Sequence, residues 1–194
     1  MTLTLVEPAL GSGCGKSDEE RLREGEVLLH TRAHSAWGGA VTAQMYLPLQ
    51  RSQVWQQLTD YPRWVQYFPS LSRSELLSRV TAADETSRSY TRLYQVASKA
   101  LFLFSAQVEI YLKAFETVHQ TWQHIYFQLE KGSFHDFAAQ LKLQDYQCGT
   151  LLTYAVQATP SIPVPTQLIQ EGMRLDLPAN MRKMRQVLCS HCRH

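Results

Sequence analysis

No stretch of this sequence is apolar for long enough to cross a membrane. The longest uninterrupted run, ALFLF at residues 100–104, falls far short of the roughly 20 residues a spanning helix needs. An excess of charge is missing too. Nineteen Lys and Arg against 17 Asp and Glu leave a net charge of +2. Nucleic-acid binders concentrate basic residues in a stripe, so nucleic acid is not an expected partner. The one basic cluster, Arg182-Lys183-Met184-Arg185, falls near the end of an expected helix, where cations complement the dipole. Cysteine is scarce: Cys14, Cys148, Cys189 and Cys192. Residues 1–10 carry Glu7 and Pro8 but no basic segment, which does not read as a secretory signal. A disulfide framework is therefore not expected, and the expected location is cytoplasmic. Peripheral contact with a membrane stays open.

Signals of chemistry are incomplete. The segment GSGCGKS at 11–17 imitates a phosphate loop, but that loop needs four residues between its first Gly and the Gly-Lys pair, and only three are present. Cys189, His191, Cys192 and His194 crowd the last six residues, whereas a closed zinc site draws on separated ligand pairs held by a fold. They read as a tail, with no metal. His119, His124 and His135 belong to no recognisable triad. His124 alternates with Ile125 and Phe127 and is expected on the outer side of a sheet, whereas His135 is in phase with Phe137 and is expected inside. No catalytic residue and no cofactor are assigned.

What is present is alternation. Residues 1–38 carry a Gly-rich run and a charged segment, DEERLREGE at 18–26, and read as a flexible extension without a core face. A domain over 39–190 and a tail at 191–194 follow. In 41–47, Val41, Ala43, Met45 and Leu47 share one side of a strand. Pro48 ends it. Two short helices are expected next, one capped by Ser52 and carrying Val54, Trp55 and Leu58, and one over 63–67 before Pro69. Strands follow near 71–80, 87–98, 106–114, 121–130, 137–144 and 152–158, joined by short turns, which implies an antiparallel meander. Each strand has one apolar side, so the sheet is expected to be covered on one face. After Pro160, Pro163 and Pro165 the period becomes helical. Leu168, Gly172 and Leu175 form one stripe, and Met181, Met184 and Leu188 another, with Pro178 expected to kink or restart the helix.

The expectation is an α+β helix-grip fold. A curved antiparallel sheet of about seven strands wraps one long C-terminal helix, with two short helices after the first strand. A helix is only about 10–12 Å wide, so the sheet must curl around it, leaving an apolar pocket between them.

The order of elements and several motifs resemble the polyketide cyclase/dehydrase and coenzyme Q-binding branch of the START-like (SRPBCC) superfamily. The matching segments are Val54-Trp55, Leu58-Thr59-Asp60-Tyr61, Trp64, Phe68-Pro69, Phe127, Gly132-Ser133-Phe134, Gly149-Thr150-Leu151-Leu152-Thr153-Tyr154 and the proline-rich lead at 160–165. They span roughly residues 40–190. The chain departs from the family at Ala138-Ala139-Gln140-Leu141, where a Gly and a Trp are frequent, and at Pro178. The resemblance implies binding of a lipid-, quinone- or polyketide-like molecule. It does not imply one reaction, because the fold hosts carriers, cyclases and proteins acting on ribosomes.

The pocket wall read from the alternation is Val108, Ile110, Leu112, Ile125, Phe127, Phe137, Leu141, Leu152, Tyr154 and Val156, faced by Leu168, Gly172 and Leu175. Tyr90 and Tyr94, on one side of their strand, and Tyr154 are candidates to orient a ligand through their hydroxyls. Trp64 and Tyr67 are read as packing, with gating of the pocket or contact with a membrane or partner as the alternative. Three functions remain in view: a carrier of a hydrophobic small molecule; a cyclase, aromatase or dehydratase on a polyketide-like substrate; and an interaction module for ribosomes or proteins.

Overall fold

The structure, a computed structural model, describes residues 16–35, 38–82, 88–101, 104–161 and 166–190. The body of the Gly-rich motif with Cys14, Pro163 and Pro165, and the tail with Cys192 lie outside the described residues.

Eight strands form one antiparallel sheet in the order β1-β2-β8-β7-β6-β5-β4-β3. They are β1 (Leu28–Ser35), β2 (Gly38–Leu47), β3 (Leu71–Val80), β4 (Tyr90–Leu101), β5 (Phe104–Val118), β6 (Trp122–Gly132), β7 (Phe134–Tyr146) and β8 (Gly149–Pro160). From β3 to β8 each strand pairs with the next, as short turns require. β8 then closes back on β2. Side-chain direction alternates along each strand, so register fixes which residues share a wall. Met45 pairs with Leu152, and Leu152 with Leu143. One row on, Ala43 pairs with Tyr154, Tyr154 with Leu141 and Leu141 with Ile125. These residues make the inner wall of the curved sheet, and all are buried.

β7 and β8 are joined through Gln147-Cys148, with Gln147 at positive φ. Just beyond, the backbone of β8 crosses so close to β2 that a Cβ at Gly149 would run into the Leu47 carbonyl oxygen. Only glycine fits there.

The reading of residues 1–38 as a separate extension is corrected at 17–35. Ser17 caps α1 (Asp18–Arg23) in a capping box. Its Oγ accepts from the Glu20 N–H at 3.2 Å, and Glu20 accepts from the Ser17 N–H at 2.8 Å. α1 lies against β1 and β2. Leu22 is only 2% exposed and Leu28 3%. Gly25, at φ +88°, leaves room for the Arg185 guanidinium, which a Cβ there would meet. The extension thus supplies the eighth strand, beside the seven expected. It also changes the outer face, which was expected to be open. Leu28 pairs with Gln44 on the outer side, and Ala40, Gln44, Thr153, Ala155 and Gln157 are all buried there. Gln44 donates to the Thr153 hydroxyl at 3.2 Å.

α2 (Arg51–Leu58), a 3-10 turn (Tyr61–Arg63) and α3 (Trp64–Tyr67) follow β2. Gln50, not Ser52, precedes the first turn of α2, and its N–H donates to Gln53 Oε1 at 3.2 Å. Pro62 fits the 3-10 turn because its missing N–H falls where no partner is needed. α4 (Thr166–Ser190) runs as one helix with Pro178 inside it, so the expected restart does not occur. It packs along β2 and α3. Its buried stripe is Leu177, Met181, Met184 and Leu188, spaced four, three and four residues apart, as one face of an α-helix demands.

Candidate ligand-binding site

Burial along the inner wall is graded. At the end nearest α2, Leu47, Met45, Leu152, Leu143, Leu141 and Ile125 are fully enclosed by α2, α3 and the C-terminal half of α4. Further along the same strands, Val156, Phe137, Leu129, Phe134 and Val108 point to the same side but are only half-buried. The pairings Ala139 with Val156 and Ala97 with Val108 place these positions in successive rows toward the open end.

Between the two ends stands an aromatic cluster. Trp64 is 5.0 Å from Phe127 and 5.4 Å from Phe68 between ring centroids, and Tyr61 is 6.2 Å from Phe127. Phe68 in turn lies 6.0 Å from Tyr154. Trp64 Nε1 donates to the Leu58 carbonyl at 2.8 Å, and the Tyr67 hydroxyl to the Gln57 carbonyl at 3.1 Å. Both rings are buried. They lock α3 onto α2, which is the packing role read from the sequence, and neither is placed to gate.

Tyr61 is enclosed, and its hydroxyl donates to Glu116 Oε1 at 2.6 Å. Burial first, then this bond to a carboxylate, push its phenol well above the ordinary tyrosine value. Tyr154 differs. It is 6% exposed, burial alone raises its phenol, and its hydroxyl has no hydrogen-bond partner among the described residues.

The structure assembles most of the expected wall. Ile110, Leu112, Ile125, Phe127, Leu141, Leu152 and Tyr154 are buried on it, and Val108, Phe137 and Val156 are half-buried on it. Tyr90 and Tyr94 are not part of it. Leu93 between them faces the core, and Tyr94 pairs with Tyr111 on the outer side, where their rings are 4.8 Å apart under Arg73 and Lys131. Tyr90 packs there against Phe115, with Lys113 over its ring. Leu175 is 64% exposed and does not face the sheet. A Cβ at Gly172 would meet nothing within 4 Å, so the helix makes no close approach there. The Leu168 side chain lies outside the described residues. Phe68, which ends α3, and Leu129 and Phe134 join the wall without having been read as ligand-binding residues; the last two are apolar and in phase, and only the strand bounds and a bulge at Phe134–Asp136 place them.

His135, expected inside, is exposed, because that bulge turns it out. His124 lies on the outer side, half-buried, with Nε2 3.3 Å from Gln140 Oε1. Among the described residues no cluster of His, Cys, Asp or Glu has the arrangement of a metal site, and no helix is long and apolar enough to cross a membrane. Two open clefts are formed by described residues, the first of them at the β3–β5 edge of the inner wall. One of about 220 Å³ includes Arg79, Thr91 and Glu116, and one of about 430 Å³ includes Arg51, Asp145 and Cys148. Both have mixed polar and apolar linings and are too open to enclose a hydrophobic molecule.

A curved antiparallel sheet closed by a C-terminal helix, with a mainly apolar inner wall, defines a helix-grip protein. Residues 47–185 match the family described as polyketide cyclase / dehydrase and lipid transport, and the chain belongs to that family. No curated protein matches it in sequence. Among solved structures it resembles a STAR-related lipid transfer protein from Xanthomonas axonopodis, at 13% identity and a TM-score of 0.62, over 82% of this chain and 98% of that one. A START superfamily protein from Mycobacterium smegmatis is similar at 14% identity and 0.58, over 77% and 98%. The Zhui aromatase/cyclase of a Streptomyces species is similar at 11% identity and 0.58, over 84% and 93%. At such identities the likeness is one of fold.

Proposed function

We propose that this protein binds and carries a hydrophobic small molecule of lipid-, quinone- or polyketide-like character, held against the open rows of the inner wall. The observation that carries this reading is the grading of burial: Val108, Leu129, Phe134, Phe137 and Val156 present contiguous apolar surface that the protein's own side chains cover only in part. Contiguous uncovered apolar surface marks binding sites. Family membership supports the same reading. A cyclase or dehydratase would need an acid and a base within reach of one substrate position. Tyr61 and Glu116 are paired, but Glu116 is on β5, three strands across the same inner wall from β8 and Val156, and His135 is turned outward.

The test is Val156→Phe. The extra ring occupies the uncovered rows, so the neutral fluorophore N-phenyl-1-naphthylamine, bound by the parent, loses its binding while the melting temperature is held. In a wall already packed solid, the same change costs roughly 1–3 kcal/mol through overpacking. A parent protein that binds no such probe and carries no apolar molecule in native mass spectrometry refutes the proposal.

A further inference from the structure

We infer that the ligand carries a neutral oxygen acceptor, the carbonyl of a ketone, quinone or ester, and that the Tyr154 hydroxyl donates to it. This rests on the ligand site proposed above and names the chemistry of its occupant.

Tyr154 sits in the middle of β8, where Ala43 and Leu141 pair with it on either side. Its ring packs toward Phe68, at the boundary between the enclosed and the open rows. The Tyr154 hydroxyl oxygen is not among the described side-chain atoms that are both enclosed and unpartnered, so it borders open space, where a ligand's acceptor can meet it. The contrast with the other core tyrosines is direct: Tyr61 donates to Glu116 and Tyr67 to Gln57. Tyr154 alone of the three has no partner among the described residues, and its next row, Val156, is where the wall is uncovered.

The surroundings then set the sign of the group that meets it. Ala43, Leu141, Ala139, Val156 and Phe68 are all apolar. The carboxylate of this row, Glu116, lies three strands away, roughly 14 Å at ordinary strand spacing, and is engaged by Tyr61. The cation of the neighbouring row, Arg79 on β3, lies five strands from β8, at the far edge of the sheet beside Glu116. A buried carboxylate or phosphate without a partner is far costlier than a buried carbonyl. A neutral acceptor satisfies the hydroxyl and adds no charge.

Three ligands of one shape test this by calorimetry: 2-acetylnaphthalene, 2-ethylnaphthalene, which lacks only the oxygen, and 2-naphthoate, which adds a charge. The parent is expected to bind the ketone roughly three- to tenfold more tightly than the hydrocarbon, the range of one net hydrogen bond, and to bind the carboxylate weakest of the three. Tyr154→Phe should abolish the preference for the ketone, leave 2-ethylnaphthalene binding unchanged and keep the melting temperature. A preference that survives in Tyr154→Phe, or naphthoate binding equal to the ketone, overturns the inference and leaves the pocket standing. A lower melting temperature for the variant shows that the hydroxyl is already bonded, and overturns it as well. If the parent binds none of the three, the pocket itself is refuted.

Discussion

Leu28→Ala is the most direct probe of the N-terminal segment, because everything expected of it follows from one buried side chain. Leu28 opens β1, is 3% exposed and faces the outer side of the sheet, where it pairs with Gln44. Removing three buried carbons from such a site costs the lost transfer energy plus a cavity, roughly 2–4 kcal/mol for Leu→Ala. The lower part of that range is expected here, since a strand at the edge of the sheet relaxes more readily than its centre. Urea denaturation reads the change as a shift in midpoint at constant slope. Deleting residues 1–36 should go further. It removes Leu22 and Leu28 together and bares β2, whose Val41, Ala43, Met45 and Leu47 would then line an unpaired edge, so that the shortened protein associates in sedimentation experiments. If Leu28→Ala shifts stability by less than about 0.5 kcal/mol, the range of surface substitutions, the segment does not belong to the fold and the packing argued for α1 and β1 is wrong.

Two further outcomes follow from single residues. Gly149→Ala should destabilise by roughly 1–3 kcal/mol, as overpacking does, because its Cβ meets backbone of β2 and the Tyr46 ring; a denaturation midpoint equal to the parent's would refute the close approach. Burial lowers the His124 imidazole below its ordinary value, with Lys142 and Arg88 adding to the effect and Gln140 opposing it. Folding therefore favours the neutral ring. That contribution is complete above the unfolded value of about 6.5 and is lost as pH falls below it, levelling off beneath the lower folded value. Melting curves taken from about pH 7.5 down to about 5.5 should fall less steeply for His124→Gln than for the parent, and parallel curves would contradict this.

Which parts of this fold are legible in the sequence depends on whether one face of a segment stands out. In 41–47 and 152–158 every second residue is apolar and the others, Tyr46 and Ala155 apart, are polar, so the inner wall follows from the period of two. In β4 both faces mix apolar and polar residues. Tyr90 and Tyr94 share a side, but only Leu93, with Thr91 and Gln95 buried beside it, shows that the other side is the inner one. In α4 two stripes compete. Because the helix continues through Pro178, the stripe through Leu177, Met181, Met184 and Leu188 sets the phase, and Leu175, two residues before Leu177, falls about 200° round the helix, in solvent. The N-terminal segment offered a different kind of signal. Ser17 and Glu20 are spaced as a capping box, but α1 has Leu22 as its lone apolar residue, and β1 opens on Leu28-Leu29 without alternation. Its place in the fold comes from pairing with β2, which no local pattern encodes.

The partition of the inner wall follows from dimensions. Eight strands at about 4.8 Å spacing make a sheet about 34 Å across, and a helix with its side chains covers about 10–12 Å of it. α4 lies along β2 and leans on α3. The 3-10 turn and α3 bring Tyr61 and Trp64 over Phe127 on β6, with the Tyr61 carbonyl accepting from Ser74 on β3 at 2.7 Å. Between them these elements close the rows from Leu47 to Ile125 and leave those from Val156 to Val108. Fold stability is thus concentrated at one end of the wall and uncovered apolar surface at the other. Substitutions at Leu141 or Ile125 should act on melting, whereas those at Val156 or Val108 should act on binding. Tyr154, at the boundary, is the position where a change of one hydroxyl should alter what is bound without altering what is folded.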